Sequence, residues 1–359
     1  MNKQAEKIIR YLQRFYKDEE WPTLLAQARE WAETEPLGGL KVLDGTPLFR
    51  NTLGKYAALL AAGARLYVPT NTPLPRDPAI LELLPEFGIR TALKADNPFD
   101  IVLDCAGQFC RLHPTLGFAE LTRSGVERYE HTLHHPIFVA DDSCIKRIET
   151  TLGTGESLFR ALTRLGYGDF AGRRITVVGY GKVGRGVVHY ARKFGMRTIV
   201  ADVEDKAAEL PNDTTFVNVQ DIEAFNEAVR SSWCLVTCTG RVSALKHRLR
   251  PETVLESPVL LANLGVEDEF GPAIPPSRVL NHKHAVNFML EEPTGMRFIE
   301  TTMALHNACA LELLTQDLPH NCMPPGEDVQ RRLQNITLRD GLIAEDVRGL
   351  GREIGLVGC

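Results

Sequence analysis

Three glycines mark the first place where this chain can do chemistry. They stand in Gly179-Tyr180-Gly181-Lys182-Val183-Gly184, with the spacing Gly-x-Gly-x-x-Gly. The run before them, Ile175-Thr176-Val177-Val178, is apolar and β-branched, as a buried strand requires. The run after them, Val183 to Phe194, is helical in pattern and stops at Gly195. Strand, glycine turn and helix in that order make a phosphate cradle. The first glycine permits the tight turn, the second lets a pyrophosphate approach the backbone, and the third lets helix and strand pack closely. The first helical turn, with Lys182, Val183 and Gly184, offers free N–H groups and a partial positive charge. Asp202 ends the next strand, Thr198-Ile199-Val200-Ala201, about 20 residues on, where an acid binds ribose hydroxyls. That acid repels the extra phosphate of NADP, so the expected cofactor is NAD. Arg197 opposes that preference and reads as a solvated charge between helix and strand.

Two later segments belong to the same unit. Thr237-Cys238-Thr239-Gly240 follows a strand at Cys234 to Cys238, and Ala262-Asn263-Leu264-Gly265 follows one at Val259 to Ala262. Both line the crevice toward the nicotinamide half, or are plain strand-to-helix turns. Thr237, Thr239, Gly240, Asn263 and Gly265 are the cofactor-side candidates among them.

A second group of polar residues precedes the glycine motif. Strands at Leu40–Leu43, Arg65–Val68, Ile101–Leu103 and Ile137–Ala140 alternate with helices at Asn51–Ala62 and Pro78–Phe87. Such alternation implies right-handed crossovers and a parallel sheet. Ligands bind at the carboxyl ends of those strands. Here the ends carry Asp44, Thr46, Asp104, Asp141 and Asp142. Each acid is a site candidate or a turn acid. His306, inside a long apolar helix from Met296 to Leu314, reads as a core histidine. His134-His135 reads as loop, and His282-Lys283-His284 as a solvated turn.

These elements fit an α/β chain of two domains: a Rossmann-type NAD-binding domain inserted into a parallel-sheet α/β substrate domain. The expected boundaries are 1–151, 152–290 and 291–359, the last returning to the substrate domain. Pro22 divides an N-terminal helical stretch over residues 4–33. Short helices at Glu327–Leu333 and Ala344–Ile354 close the chain. Its 359 residues allow a large core. The formal net charge of -5 argues against a nucleic-acid partner. No run of about 18 apolar residues implies a membrane span. The first residues lack the apolar stretch of a signal peptide, so a cytoplasmic protein with free thiols at its eight cysteines is expected. No Cys or His spacing points to a metal.

With these segments in order, the chain resembles the S-adenosylhomocysteine hydrolase family. The similar stretches are Ile175 to Asp202, Gly155-Glu156-Ser157-Leu158, Thr237-Cys238-Thr239-Gly240 and Asn263-Leu264-Gly265. Asp141-Asp142-Ser143-Cys144-Ile145-Lys146 looks like the loop before the family's NAD domain, and Ala310-Leu311-Glu312-Leu313 like its returning helix. The likeness runs from about residue 40 to 335 and is densest over the nucleotide domain. It implies a small-molecule substrate, a homodimer or homotetramer, and a place in one-carbon metabolism. It also implies tightly held NAD that oxidises a ribose hydroxyl, lets a thiol leave and water add, and then returns the hydride.

The resemblance carries over to single residues. Lys146 matches a family lysine near the reacting ribose; close to a positively charged nicotinamide its ammonium is disfavoured, which makes it a base. Thr46 and Thr122 match substrate threonines. Thr150, Thr151 and Asn287 join the cofactor side. Departures are as specific. Thr150-Thr151 stand where the family has Asp-Asn, and Asp44 where it has a histidine. Leu121-Thr122-Arg123-Ser124-Gly125 replaces Glu-Thr-Thr-Thr-Gly, losing the carboxylate unless Glu120 shifts in. Asp104-Cys105-Ala106-Gly107 loses the second acid of Asp-Asp-Gly-Gly. Val266 replaces a histidine, and Glu292-Pro293-Thr294-Gly295 replaces a Gly-His-Pro segment. Glu291 and Glu292 suit a cationic amine or start a helix. The family's basic, tyrosine-bearing tail has no match.

The expected catalytic set is therefore Lys146, Asp141, Asp104 and Glu292, with Asp44, Thr46, Thr122 and Thr294 on the substrate. A missing general base costs about 10²–10⁴-fold in rate. Several losses together imply a relative whose substrate or reaction has changed. Three functions follow: an NAD-dependent, adenosylhomocysteine-hydrolase-like enzyme on a nucleoside thioether or other small polar substrate; an NAD-dependent dehydrogenase of a small hydroxy or amino acid; or a non-catalytic NAD-binding regulator.

Overall fold

The computed structural model describes residues 1–92, 98–129 and 134–350. It divides into two units, Met1–Ile148 with Gly295–Cys359, and Glu149–Thr294.

The first unit opens with two helices. Helix α1 (Lys3–Leu12) is capped by the Asn2 side chain and buries Ala5, Ile8 and Leu12, the stripe a 3.6-residue period dictates. Pro22 sits at the first position of α2 (Pro22–Thr34), where its missing N–H costs nothing. Then follow β1 (Lys41–Asp44), α3 (Thr52–Ala61), β2 (Arg65–Tyr67), α4 (Pro78–Leu83), β3 (Ile101–Asp104), β4 (Gly117–Glu120), α5 (Arg123–Tyr129) and β5 (Ile137–Val139). Helix α3 is buried on every face, which its Ala and Leu content permits.

The second unit runs through α6 (Thr154–Arg164), β6 (Arg174–Val178), α7 (Lys182–Lys193), β7 (Arg197–Asp202), β8 (Thr214–Asn218), α8 (Ile222–Arg230), β9 (Cys234–Thr237), α9 (Pro251–Val254) and β10 (Leu260–Asn263). Its five strands are parallel in the order β10-β9-β6-β7-β8. The sheet therefore reverses direction between β6 and β9, at the glycine turn. Phe225, Leu235, Leu261 and Phe270 are among its buried core residues.

The chain then returns to the first unit through α10 (Met296–Glu312), β11 (Cys322–Met323), α11 (Glu327–Asp340) and α12 (Ala344–Leu350). Residues Ala304 to Ala310 of α10 are all buried, the pattern of a helix packed on several sides. The first unit's sheet has the order β11-β5-β4-β3-β1-β2, all parallel, and reverses between β1 and β3. Leu43, Val102, Phe118 and Tyr129 pack in its core.

Six elements lie outside the sequence expectations, among them the short helices α5 and α9. Strand β4, Gly-Phe-Ala-Glu, has no β-branched residue; β8 is a half-buried edge; β11 is two residues long; and α8 lies in a stretch read as connection. Each is placed by its neighbours in space rather than by a local pattern. The expected final helix reached Ile354; its described part ends at Leu350, and the residues beyond, including Cys359, lie outside the described ones. No disulfide joins the described cysteines. Among the described residues, no helix is long and apolar enough to cross a membrane.

Candidate functional site

The glycine turn of the second unit has the geometry its residue types demand. Gly179 adopts φ +90°, a conformation an L side chain rarely takes, and a Cβ there would lie 2.9 Å from the Cys238 carbonyl oxygen. A Cβ on Gly184 would overlap the Gly179 carbonyl oxygen. A Cβ on Gly181 would meet nothing within 4 Å. The first and third glycines are thus required by the fold, whereas the second keeps a space open. Gly181 caps α7, so Lys182, Val183 and Gly184 are its first turn and their N–H groups point out of the helix end.

Asp202 ends β7 beside this turn. Its Oδ2 accepts a hydrogen bond from the Tyr180 N–H at 2.8 Å, and its Oδ1 one from Glu204 N–H at 3.1 Å. A cavity of about 260 Å³ opens here. Gly181, Asp202 and Thr239 contribute polar lining, and Val203, Val219 and Leu245 an apolar wall. That combination suits an adenosine: a flat apolar ring, a ribose and an adjacent phosphate. Arg241 and Arg248 also line it, unforeseen from sequence. Arg197 is exposed and donates to the Gly172 carbonyl, outside this lining.

The later turns are held by a residue that sequence reasoning missed. Glu269 is fully buried. Its carboxylate accepts from Thr239 N–H at 2.9 Å, Thr239 Oγ1 at 2.8 Å and Gly240 N–H at 2.7 Å, and it fills the space that a Cβ on Gly265 would take. Thr237 Oγ1 donates to Asn263 Oδ1 at 3.0 Å, and Asn263 Nδ2 donates to the Gly265, Glu267 and Lys283 carbonyls. Thr237 and Asn263 are completely buried, so their polar groups build the turns. Lys283, expected in a solvated turn, is instead buried and bonds Asp268 Oδ2 and the Gly271 carbonyl, each at 2.7 Å. Its partners lie 12 to 15 residues away, which a local reading does not reach. Thr150 and Thr151 lie in a wide helical turn at Ile148–Gly153. Thr151 Oγ1 and Asn287 Oδ1 are buried without a hydrogen-bond partner among the described residues. Orphaned acceptors and donors of this kind call for a ligand or water. With the open space over Gly181, they fit a dinucleotide. Glu292 and Thr294 belong to this unit; the Glu292 carbonyl accepts from Arg160 at 3.1 Å.

The first unit gathers a different set. Asp44, Asp104 and Glu120 end adjacent parallel strands β1, β3 and β4, and all three are fully buried. Asp44 forms an ion pair with Lys55 and accepts from Thr46 Oγ1 at 2.5 Å and the Tyr56 hydroxyl at 3.3 Å. Burial pulls the Lys55 pKa well below its usual range and pushes that of Tyr56 up. Asp104 accepts from Tyr129 Oη at 2.6 Å and from the N–H groups of Cys105 and Phe109; burial raises its pKa above the usual carboxylate value. Glu120 accepts from Thr122 N–H and Oγ1 and from Ala106 and Gly107 N–H. Burial, and then the charge of Asp104, push its pKa up to about 7. The carboxylate beside Thr122 is therefore Glu120, one residue before the segment that lost the family's acid.

Lys146 is buried in the same unit. His306 is also buried; its Nε2 donates to the Ala119 carbonyl at 2.9 Å, and its Nδ1 has no partner among the described residues. Burial, and then the Lys55 and Lys146 charges, keep its pKa well below the usual value, so the ring is neutral. Asp141 is half-exposed, outside the buried acid set, and exposed Asp142 pairs with Arg123 at 3.0 Å. The unit thus brings together Asp44, Thr46, Asp104 and Thr122 from the expected set, and adds Lys55, Tyr56, Glu120 and Tyr129. Their signal in sequence is weak, since a buried lysine or glutamate shows no local pattern.

Residues 150–269, about a third of the chain, match the family described as S-adenosyl-L-homocysteine hydrolase, NAD binding domain. No curated protein matches the chain. Among solved structures, a dipicolinate synthase polypeptide from Bacillus halodurans is similar at 10% identity, over 78% of this chain and 99% of that one, with a TM-score of 0.52. A transhydrogenase from Sinorhizobium meliloti gives 13% identity, 76% and 95% coverage and a TM-score of 0.45. At such identities the first likeness shows a shared fold and the second adds no argument. The family match and the cradle agree on NAD as the cofactor. Residues 150–269 match an NAD-binding domain of the S-adenosyl-L-homocysteine hydrolase type, and the cofactor is NAD.

Proposed function

We propose that the chain is an NAD-dependent enzyme of the adenosylhomocysteine-hydrolase type, acting on a nucleoside thioether or another small polar molecule that carries a hydroxyl. The observation behind it is the glycine cradle with its open space over Gly181, in a segment that matches the family's NAD domain. NAD, when bound, takes up and returns a hydride. The cradle N–H groups hold its pyrophosphate, and Asp202 its ribose. The first unit supplies groups able to move protons: Glu120, with its carboxyl near neutrality, and the buried Lys146. Neutral His306 offers an unused acceptor at Nδ1. A cytosolic homodimer or homotetramer remains part of this reading.

A second reading, net hydride transfer without elimination, is favoured by Val266. It is 84% exposed and carries no proton at the position where the family has a histidine. Thiol release from S-adenosylhomocysteine by the NAD-loaded protein tests the first reading. Release with no net change in nicotinamide absorbance supports it. A net absorbance change without thiol release supports the second, and neither leaves the regulatory role. Once an activity is found, unchanged turnover in Lys146→Ala removes Lys146 from the mechanism.

A further inference from the structure

Arg76 breaks the rule that buried charges are paired. Its Nε and both Nη atoms are buried and have no hydrogen-bond partner among the described residues. Its position is fixed by the backbone. Leu48 and Arg76 form a parallel bridge, with Leu48 N–H donating to the Pro75 carbonyl at 3.0 Å and Asp77 N–H to the Leu48 carbonyl at 2.8 Å. This holds Arg76 against the loop that leaves β1. Thr72, four residues earlier, bonds Gln108, whose Nε2 donates to the Gly45 carbonyl at 3.2 Å and the Cys105 carbonyl at 3.0 Å. The 72–76 segment, the β1 loop and the β3 loop therefore converge where the sheet reverses, the place at which α/β sheets bind ligands.

Among the described residues, no anion answers the guanidinium there. Asp44 is taken by Lys55, Thr46 and Tyr56, and Asp104 by Tyr129 and two N–H groups. Lys55 pairs with Asp44, Asp104 is held by neutral donors, and neither carboxylate hydrogen-bonds Arg76. The Arg76 charge does reach the Tyr56 hydroxyl, and burial lowers its own pKa. We infer that Arg76 is a specificity-determining residue whose fork binds a carboxylate of the substrate at the β1–β3 switch point. A guanidinium with unused N–H donors matches a carboxylate through two parallel hydrogen bonds. The inference deepens the proposed function by giving its substrate a carboxylate.

Thermal unfolding of the full chain tests it, with acetate, glycine or succinate as probes at matched ionic strength, and acetamide and inorganic phosphate as controls. A carboxylate that binds only the folded protein raises Tm by a few degrees at concentrations well above its Kd. Wild type is expected to gain with the carboxylates and not with acetamide. Arg76→Met and Arg76→Gln should lose that gain, with carboxylate affinity at least about tenfold weaker. Both should be as stable as wild type without ligand, because an unpaired buried cation is removed. Both should keep the Tm rise given by NAD, which separates this test from the cofactor reading. The inference fails if no carboxylate is distinguished from acetamide, or if the gain survives in Arg76→Gln. A gain with phosphate alone, or ligand-free destabilisation of both variants, also overturns it.

Discussion

Alanine at two glycines of one turn should separate folding from cofactor binding. Gly184→Ala drives a methyl into the Gly179 carbonyl oxygen, a backbone atom that cannot swing away. Overpacking of this kind costs about 1–3 kcal/mol or more. In a unit of about 150 residues, 1 kcal/mol moves Tm by roughly 2–4 °C, so a loss of roughly 2–12 °C is expected. Gly181→Ala meets no heavy atom within 4 Å, and its φ of -81° and ψ of -158° suit any L residue. A stiffer unfolded chain contributes about 0.4–1 kcal/mol of stability, and the poorer helix cap of alanine takes back about as much. Ligand-free stability should therefore stay within about 1 kcal/mol of wild type. The methyl, however, fills the space left for a pyrophosphate. The same overpacking range, applied to the complex, weakens NAD roughly 5- to 150-fold. Melting curves with and without NAD, together with calorimetric titration, measure both effects. Wild-type NAD affinity in Gly181→Ala would refute the assignment of that open space to the cofactor.

Other perturbations follow from the same contacts. Asp202→Asn keeps an acceptor for Tyr180 N–H but loses the charge, so the preference for NAD over NADP should shrink by roughly tenfold, read by titration with each nucleotide. Glu269→Ala removes three hydrogen bonds that a buried carboxylate accepts from the part-buried Thr239–Gly240 turn; a loss of about 2–3 kcal/mol is expected by denaturant unfolding, with Glu269→Gln milder. Glu300 is buried, and burial lifts its pKa from 4.5 to about 7. The folded state then keeps a proton that the unfolded chain gives up between those values. Stability from this group is complete below pH 4.5 and falls as pH rises through 7, by up to about 3 kcal/mol. Glu300→Gln should flatten that fall in a pH series of melts; an unchanged slope would place the titration elsewhere.

The cradle was legible because its parts are contiguous. A β-branched strand, three glycines and a helix lie within about 20 residues; packing requires the first and third glycines, and the second keeps a space open. Asp44 and Asp104 were legible by a longer inference, from strand ends in a repeating α/β pattern. Glu120 was legible only as a conditional replacement for the family's acid, since β4 is four residues long and carries no strand signature to place it. Glu269 and Lys283 were hidden for another reason: their partners lie 12 to 30 residues away and are joined only by the fold. Asp141 and Glu292 are placed outside the buried acid set of the first unit. Both are acids next to turns, yet one is half-exposed and the other sits in the second unit.

Hydrogen-bond capacity already spent separates the scaffold from the chemistry in the first unit. Asp44, Asp104 and Glu120 would attract attention as three buried carboxylates. Each, however, accepts three or more bonds from neighbouring groups or an ion pair. A carboxylate held in that way has little left with which to grip a ligand, and removing it would leave several buried donors unsatisfied. With its pKa near 7, Glu120 can still exchange a proton from within that cage. Arg76 and Nδ1 of His306 are among the buried groups of this unit whose capacity is unspent. One is a cation without an anion and the other an acceptor without a donor among the described residues. A carboxylate would satisfy the first, and a hydroxyl or ammonium proton the second.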